Sequence, residues 1–126
     1  MKKVILILMM VFGLNICTFA EDNDVNNVND IERYDFKVNY RRLATTLEMS
    51  LDQMEMSETV LNELASDMLF ASSMESDESK NKIVSNAVKK NIRYMGYILN
   101  KEQYKKYITL LNLTLQNKGF DLTKIQ

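Results

Sequence analysis

A chain of 126 residues is long enough for one compact domain and too short for two. It holds sixteen basic and seventeen acidic residues, for a net charge of −1, with no His, no Pro, three Gly and one Cys. The charge balance argues against nucleic-acid binding, and the missing residues exclude imidazole chemistry, His-based metal sites and most of the turns a β-rich fold requires.

The N-terminus reads as an export signal, residues 1–20. Lys2 and Lys3 form a basic start, Val4 to Ile16 form an apolar run, and Thr18-Phe19-Ala20 sets up cleavage before Glu21. The run is shorter than the about 20 residues a membrane span needs, and Asn15 interrupts it. A lipoprotein reading would acylate Cys17, but Ile16 stands where that processing needs a small residue. Removing the signal leaves neither Cys nor His, so no disulfide, thiol chemistry, cofactor or metal is expected. The mature chain then has fourteen basic and seventeen acidic residues, a net of −3. Residues 21–29 (EDNDVNNVN) are acidic and Asn-rich, and read as a flexible leader.

From residue 30 to 126 the pattern is that of a single all-α domain: four helices in a hairpin, bundle or cradle-like arrangement. The first helix is expected from an Asp30 cap, with Phe36, Tyr40, Leu43 and Leu47 on one stripe and Arg41 and Arg42 towards its C-terminal end. A second starts at Ser50 and buries Met54, Leu61, Leu64, Ala65 and Met68, with Val60 and Leu69 widening the face. After the polar connection Ser72 to Ser79, a third is capped by Ser76 or Asp77. It carries Val84, Val88, Asn91, Met95 and Ile98 on one face, broadened by Ile83, Ala87, Ile92 and Tyr94. The fourth begins at Asn100, with Tyr104, Tyr107, Ile108, Leu111 and Leu115 inward. It stops at Lys118-Gly119-Phe120, where Gly119 suits the left-handed conformation. Of the methionines, Met54, Met68 and Met95 read as core filling, and Met49 and Met56 as adaptable contacts.

One pattern occurs twice. Leu47-Glu48-Met49-Ser50-Leu51-Asp52-Gln53 and Tyr97-Ile98-Leu99-Asn100-Lys101-Glu102-Gln103 each place a side-chain acceptor three residues before a Gln. That spacing is a capping box, with Met49 or Leu99 placed to staple onto Met54 or Tyr104. On Leu47, Met49, Ser50 and Gln53, and again on Ile98, Leu99, Asn100 and Gln103, the chain resembles the Spy/CpxP-like family of small exported bacterial proteins with paired LTxxQ motifs. Ser and Asn stand where that family has Thr, and the two Gln are fifty positions apart. The resemblance spans residues 43–115. The C-terminal half also resembles small secreted proteins of Bacteroidetes-type bacteria. What the family resemblance implies is an all-α, often dimeric, cradle-like periplasmic protein, acting as an ATP-independent chaperone or as an accessory to envelope-stress sensing.

The charges are segregated. Nine acidic and no basic residues lie between Glu48 and Glu78, and nine basic residues lie between Lys80 and Lys118 against Glu102 alone. In the plainer reading these halves pair with each other inside a hairpin or across a dimer. In the sharper one, Lys89, Lys90, Arg93, Tyr94, Tyr97, Lys101, Tyr104, Lys105 and Lys106 form a face for polypeptide. Glu48, Asp52 and Glu55 sit at a helix start, where carboxylates serve the helix dipole, and no nucleophile elbow or phosphate loop is present. An enzyme is therefore not expected. Two functional readings stand: a Spy/CpxP-like chaperone or stress modulator that binds protein clients, and a structural subunit that binds one fixed envelope partner.

Overall fold

Four helices and no strand are formed over residues 33–120, the part of the chain that this computed structural model describes. The signal 1–20, the leader 21–29 and the expected Asp30 cap lie outside the described residues. The helices are α1 (Tyr40–Leu47), α2 (Leu51–Ser72), α3 (Asp77–Ile98) and α4 (Lys101–Asn117). The fold is all-α. Its backbone is the α2–α3 hairpin, two 22-residue helices of about 33 Å each joined by a short polar turn. Within that turn Ser76 Oγ accepts from Ser79 N at 3.1 Å, capping α3. Asp77 and Glu78 follow in its first turn, at the positive end of the helix dipole.

The two long helices bury matching sets. Ser57, Leu61, Leu64, Met68 and Ala71 on α2 and Val84, Ala87, Val88, Asn91 and Met95 on α3 are covered. Leu43 and Leu47 from α1, and Tyr107, Leu110, Leu111 and Leu115 from α4, complete one core with them. Met68 and Met95 are buried as fillers, Met54 is only half-covered, and Met49 packs against the core edge, where Ser57 Oγ lies 3.7 Å from its Sδ. Tyr107 donates to Asn91 Oδ1 between α4 and α3, both fully buried, and Asn91 Nδ2 has no partner among the described residues. Gly96 lets α4 approach α3 closely: a Cβ there would come within 3.3 Å of Tyr104 Cε1.

The first helix differs from expectation. The helix that carries Leu43 and Leu47 begins at Tyr40, where Asn39 Oδ1 caps it by accepting from Arg42 N at 3.0 Å, and residues 35–39 before it are not helical. Arg41 and Arg42 therefore sit in its first turn, opposite to the end proposed for them. Phe36 is buried, but from an extended strap in which Tyr34 and Phe36 point inward and Lys37 outward. The strap is fastened to the end of α4. Arg33 Nε and Nη2 donate to the carbonyls of Lys118 (3.1 Å) and Gly119 (3.2 Å), and Lys118 Nζ donates to the Asp35 carbonyl at 3.3 Å. The Arg33 guanidinium also lies 4.7 Å from the Phe120 ring centre. Gly119 has φ +89°, and the bonds Gly119 N to Gln116 O (3.0 Å) and Phe120 N to Leu115 O (2.9 Å) close a Schellman motif.

Candidate protein-interaction face

Both capping boxes are formed, and they are joined. Ser50 Oγ accepts from Gln53 N at 3.2 Å while Gln53 Oε1 accepts from Ser50 N at 2.9 Å. Asn100 Oδ1 and Gln103 do the same at 2.8 and 2.9 Å. The two glutamine amides then face each other, Gln53 Nε2 to Gln103 Oε1 at 2.8 Å and Gln103 Nε2 to Gln53 Oε1 at 3.1 Å. Each also reaches the loop before the other motif's helix. Gln53 Nε2 donates to the Ile98 carbonyl at 3.0 Å, and Gln103 Nε2 points at the carbonyls of Leu47 (3.0 Å) and Glu48 (3.1 Å). Glu48 holds the left-handed conformation (φ 55°, ψ 49°) that ends α1 and turns its carbonyl towards Gln103. Leu47 and Leu99 are buried below, with Ile98 and Met49 packed at the edge. This clasp fixes the start of α2 against the end of α3, and hence the register of the whole hairpin.

That register creates an exposed seam on the hairpin. Met56, Val60, Glu63, Asp67 and Phe70 recur on α2 at spacings of four, three, four and three; Ile83, Ala87, Lys90, Tyr94 and Tyr97 do so on α3. Apart from Ala87, which is itself buried, each member lies one residue before a buried or half-buried residue of its own helix, so the series form the neighbouring stripes. Lys90 Nζ bridges them at mid-length, 2.9 Å from Glu63 Oε2 and 3.0 Å from Asp67 Oδ2. Hydrogen bonds to those two carboxylates raise its pKa. Val60, Ile83 and Ala87 are covered or half-covered, but Met56 (47%), Phe70 (59%), Tyr94 (38%) and Tyr97 (79%) are open to solvent. Four of the six large apolar side chains exposed among the described residues thus fall on one seam. The other two, Leu51 and Leu69, lie on the stripe of α2 just before it.

The proposed binding residues divide. Lys89 and Arg93 are exposed beside Tyr94 and Tyr97, and the Arg93 guanidinium stands 5.4 Å from the Tyr94 ring centre. Lys101, Lys105 and Lys106 are exposed on α4. Lys90 is committed to Glu63 and Asp67, and Tyr104 is half-buried against the core beside Gly96. Tyr94, expected to widen a buried stripe, and Leu69, expected inward on α2, are both exposed. Met56, expected as an adaptable contact, and Phe70, which the sequence reading did not single out, complete the seam from the acidic helix. The four-three spacing of Phe70 with Glu63 and Asp67 is the signal that marks it.

The same surface offers little chemistry. Among the described residues no three acidic side chains are grouped to hold a metal ion, and no helix is long and apolar enough to cross a membrane. Burial pushes the Tyr107 phenol up, away from any role as a base near neutral pH. What the seam can do is lay an apolar and aromatic strip, flanked by fixed charges, against another polypeptide. No family model, curated protein or solved structure matches the chain. The Spy/CpxP resemblance therefore rests on the paired motif residues themselves.

Proposed function

We propose that this protein is an exported, non-enzymatic protein-binding module of the Spy/CpxP-like kind, acting in the periplasm as a chaperone or as a modulator of envelope-stress sensing. The observation that carries the reading is the exposed seam, where Tyr94, Tyr97, Met56 and Phe70 stand open between Lys89 and Arg93 on one side and acidic residues on the other. Exposed Tyr and Met adapt to varied apolar partners at small entropic cost, and nearby charge speeds encounter. The Gln53–Gln103 clasp supports this role by holding the hairpin rigid at the end where Tyr94, Tyr97 and Met56 lie.

The test is aggregation suppression on several unrelated, chemically unfolded clients. Changing Tyr94 and Tyr97 together to Ser should abolish protection without moving the melting temperature, because both rings are exposed. Changing Lys101, Lys105 and Lys106 together to Glu asks whether the face extends onto α4. Protection undiminished in the tyrosine variant removes the reading. The regular four-three spacing of the seam favours a second one, a subunit that docks a helix of one fixed envelope partner. Such a subunit would leave generic clients unprotected and would recover one protein at near one-to-one from crosslinked periplasm.

A further inference from the structure

The outer flank of α3, turned from α2 towards α4, is basic. Lys82, Lys89 and Arg93 recur along it at spacings of seven and four, all exposed, and the only acidic residues of α3, Asp77 and Glu78, stand in its first turn. Lys101 and Lys105 form an exposed stripe at the start of α4, where Glu102 is the one acidic residue. The two stripes meet where the helices touch. Arg93 lies one turn before Gly96, Lys101 lies one turn before Tyr104, and the Tyr104 ring closes on α3 at Gly96. None of these five cations forms an ion pair among the described residues, whereas Lys90, facing α2, holds two.

Residues 21–32 carry the complementary charge. This segment lies outside the described residues and holds Glu21, Asp22, Asp24, Asp30 and Glu32, with no basic residue. The point where it joins the described chain is fixed. Arg33 donates to the Lys118 and Gly119 carbonyls at the end of α4, and Lys80 Nζ, near the start of α3, lies 5.9 Å from the Tyr34 ring centre. The segment therefore departs from the same end of α3 at which the basic flank begins. Twelve residues reach up to about 40 Å, and Lys82 to Arg93 measures about 17 Å along the helix. Order matches as well as length. Asp30 and Glu32 are nearest the anchored end, as Lys82 is; Glu21, Asp22 and Asp24 follow farther out, as do Lys89, Arg93, Lys101 and Lys105. We infer that the acidic segment 21–32 docks on the α3–α4 flank of its own chain, along these five cations. Exposed charge pairs are weak one by one, but attachment at Arg33 holds the segment at an effective concentration of about millimolar, so weak pairs suffice.

Docking needs no client, but its consequence rests on the proposed function: the segment withholds Lys89, Arg93 and Lys101 from acidic clients until they displace it. Cys17 is the only Cys and lies outside residues 21–126, so Val25→Cys gives that chain a single labelling site. A nitroxide there should broaden the amide resonances of residues 82–93 and 101–105. The broadening should be lost when the segment is neutralised (Glu21→Gln, Asp22→Asn, Asp24→Asn, Asp30→Asn), and again in about 0.5 M NaCl, which screens exposed charges beyond a few ångström. Lys89→Gln, Arg93→Gln and Lys101→Gln together, all at exposed positions, should abolish it from the other side. Thermal unfolding checks that both variants are folded. Broadening confined to residues 34–40 and 115–120, or unchanged in both variants, overturns the inference. So does broadening of an isotope-labelled chain without nitroxide by a separate spin-labelled one, because the occupant is then a second copy. Adding β-casein, an unfolded acidic polypeptide, should lift the broadening as it binds, and casein that binds while the broadening persists overturns the competition. Broadening with no casein bound sinks the proposed function and spares the docking. Casein bound by a chain that shows no broadening does the reverse.

Discussion

Replacing Gln103 by Ala should be far more damaging than the same change at Gln53, although the two occupy equivalent places in their motifs. Gln103 is buried, and its amide serves four groups: Asn100 N–H, the Leu47 and Glu48 carbonyls, and the Gln53 amide. Its removal takes away the reciprocal half of the capping box, the Asn100 N–H bond, leaves the Leu47 carbonyl paired with nothing in a buried setting and breaks the amide pair. The lost half of the box contributes about 0.5 kcal/mol, an orphaned buried acceptor costs about 1–3 and the pair adds about 1, so a loss of about 2.5–4.5 kcal/mol is expected. Gln53 is half-exposed, and Ser50 N–H recovers water when the side chain goes. About 1–2 kcal/mol is expected there, with a coupling of roughly 1 kcal/mol between the two positions. Urea denaturation of both single variants and the double variant at constant m-value measures all three. Equal losses at the two positions, or additivity within about 0.3 kcal/mol, would refute the clasp as the element that joins the motifs. Gln103→Glu sharpens the test: a carboxylate cannot donate, and it would face carbonyl oxygens. Burial and those oxygens raise its folded pKa, so stability should return as pH falls through that raised value and be fully restored once pH is below the ordinary Glu value of about 4.3.

The two left-handed helix ends should respond with opposite signs. Glu48→Gly relieves a non-glycine residue at φ 55° and should stabilise by about 0.5–1 kcal/mol, whereas Gly119→Ala at φ +89° should cost about 1 kcal/mol, both read from thermal or urea unfolding. Arg33→Ala should cost about 1–2 kcal/mol by freeing the strap from the end of α4, and hydrogen exchange should rise first at Lys118 to Phe120. Burial raises the Tyr107 pKa above its ordinary 10.0, so the folded state keeps a proton that the unfolded state releases. Stability from this group is full below about pH 10 and falls by about 1.4 kcal/mol per unit above it. Tyr40, raised by burial and by Glu58, and Lys90, raised by its two carboxylates, shift in the same direction. The difference between wild type and Tyr107→Phe therefore isolates Tyr107, and equal alkaline slopes would show that its phenol is not the group responsible.

The helix starts at Ser50, Ser76 and Asn100 and the stop at Gly119 were legible because each is decided within a few residues by local hydrogen bonding. The strap was not. Its Tyr34, Phe36 and Val38 are covered at every second position, the alternation of an extended segment, yet Phe36, Tyr40, Leu43 and Leu47 also satisfy a helical pattern. Asn39 arbitrates, and what fixes the strap is contact with Lys118 and Gly119, more than eighty residues away in the chain.

The same limit governs the seam, for a reason of geometry. On α2 and on α3, two adjacent stripes follow the same four-three rhythm one residue apart, and both contain apolar side chains. Rhythm gives the helix and its amphipathic side, but one residue is a rotation of about 100°, and the pattern alone does not say which stripe the short helices will cover. The covering is decided by where α1 and α4 cross the hairpin, and that is set by the Gln53–Gln103 clasp and by Tyr107 reaching Asn91. Once Leu61, Leu64 and Met68 are inside, Met56 and Phe70 must lie beside them at the surface. The motif that looked like two separate helix caps thus determines which side chains remain available for a partner.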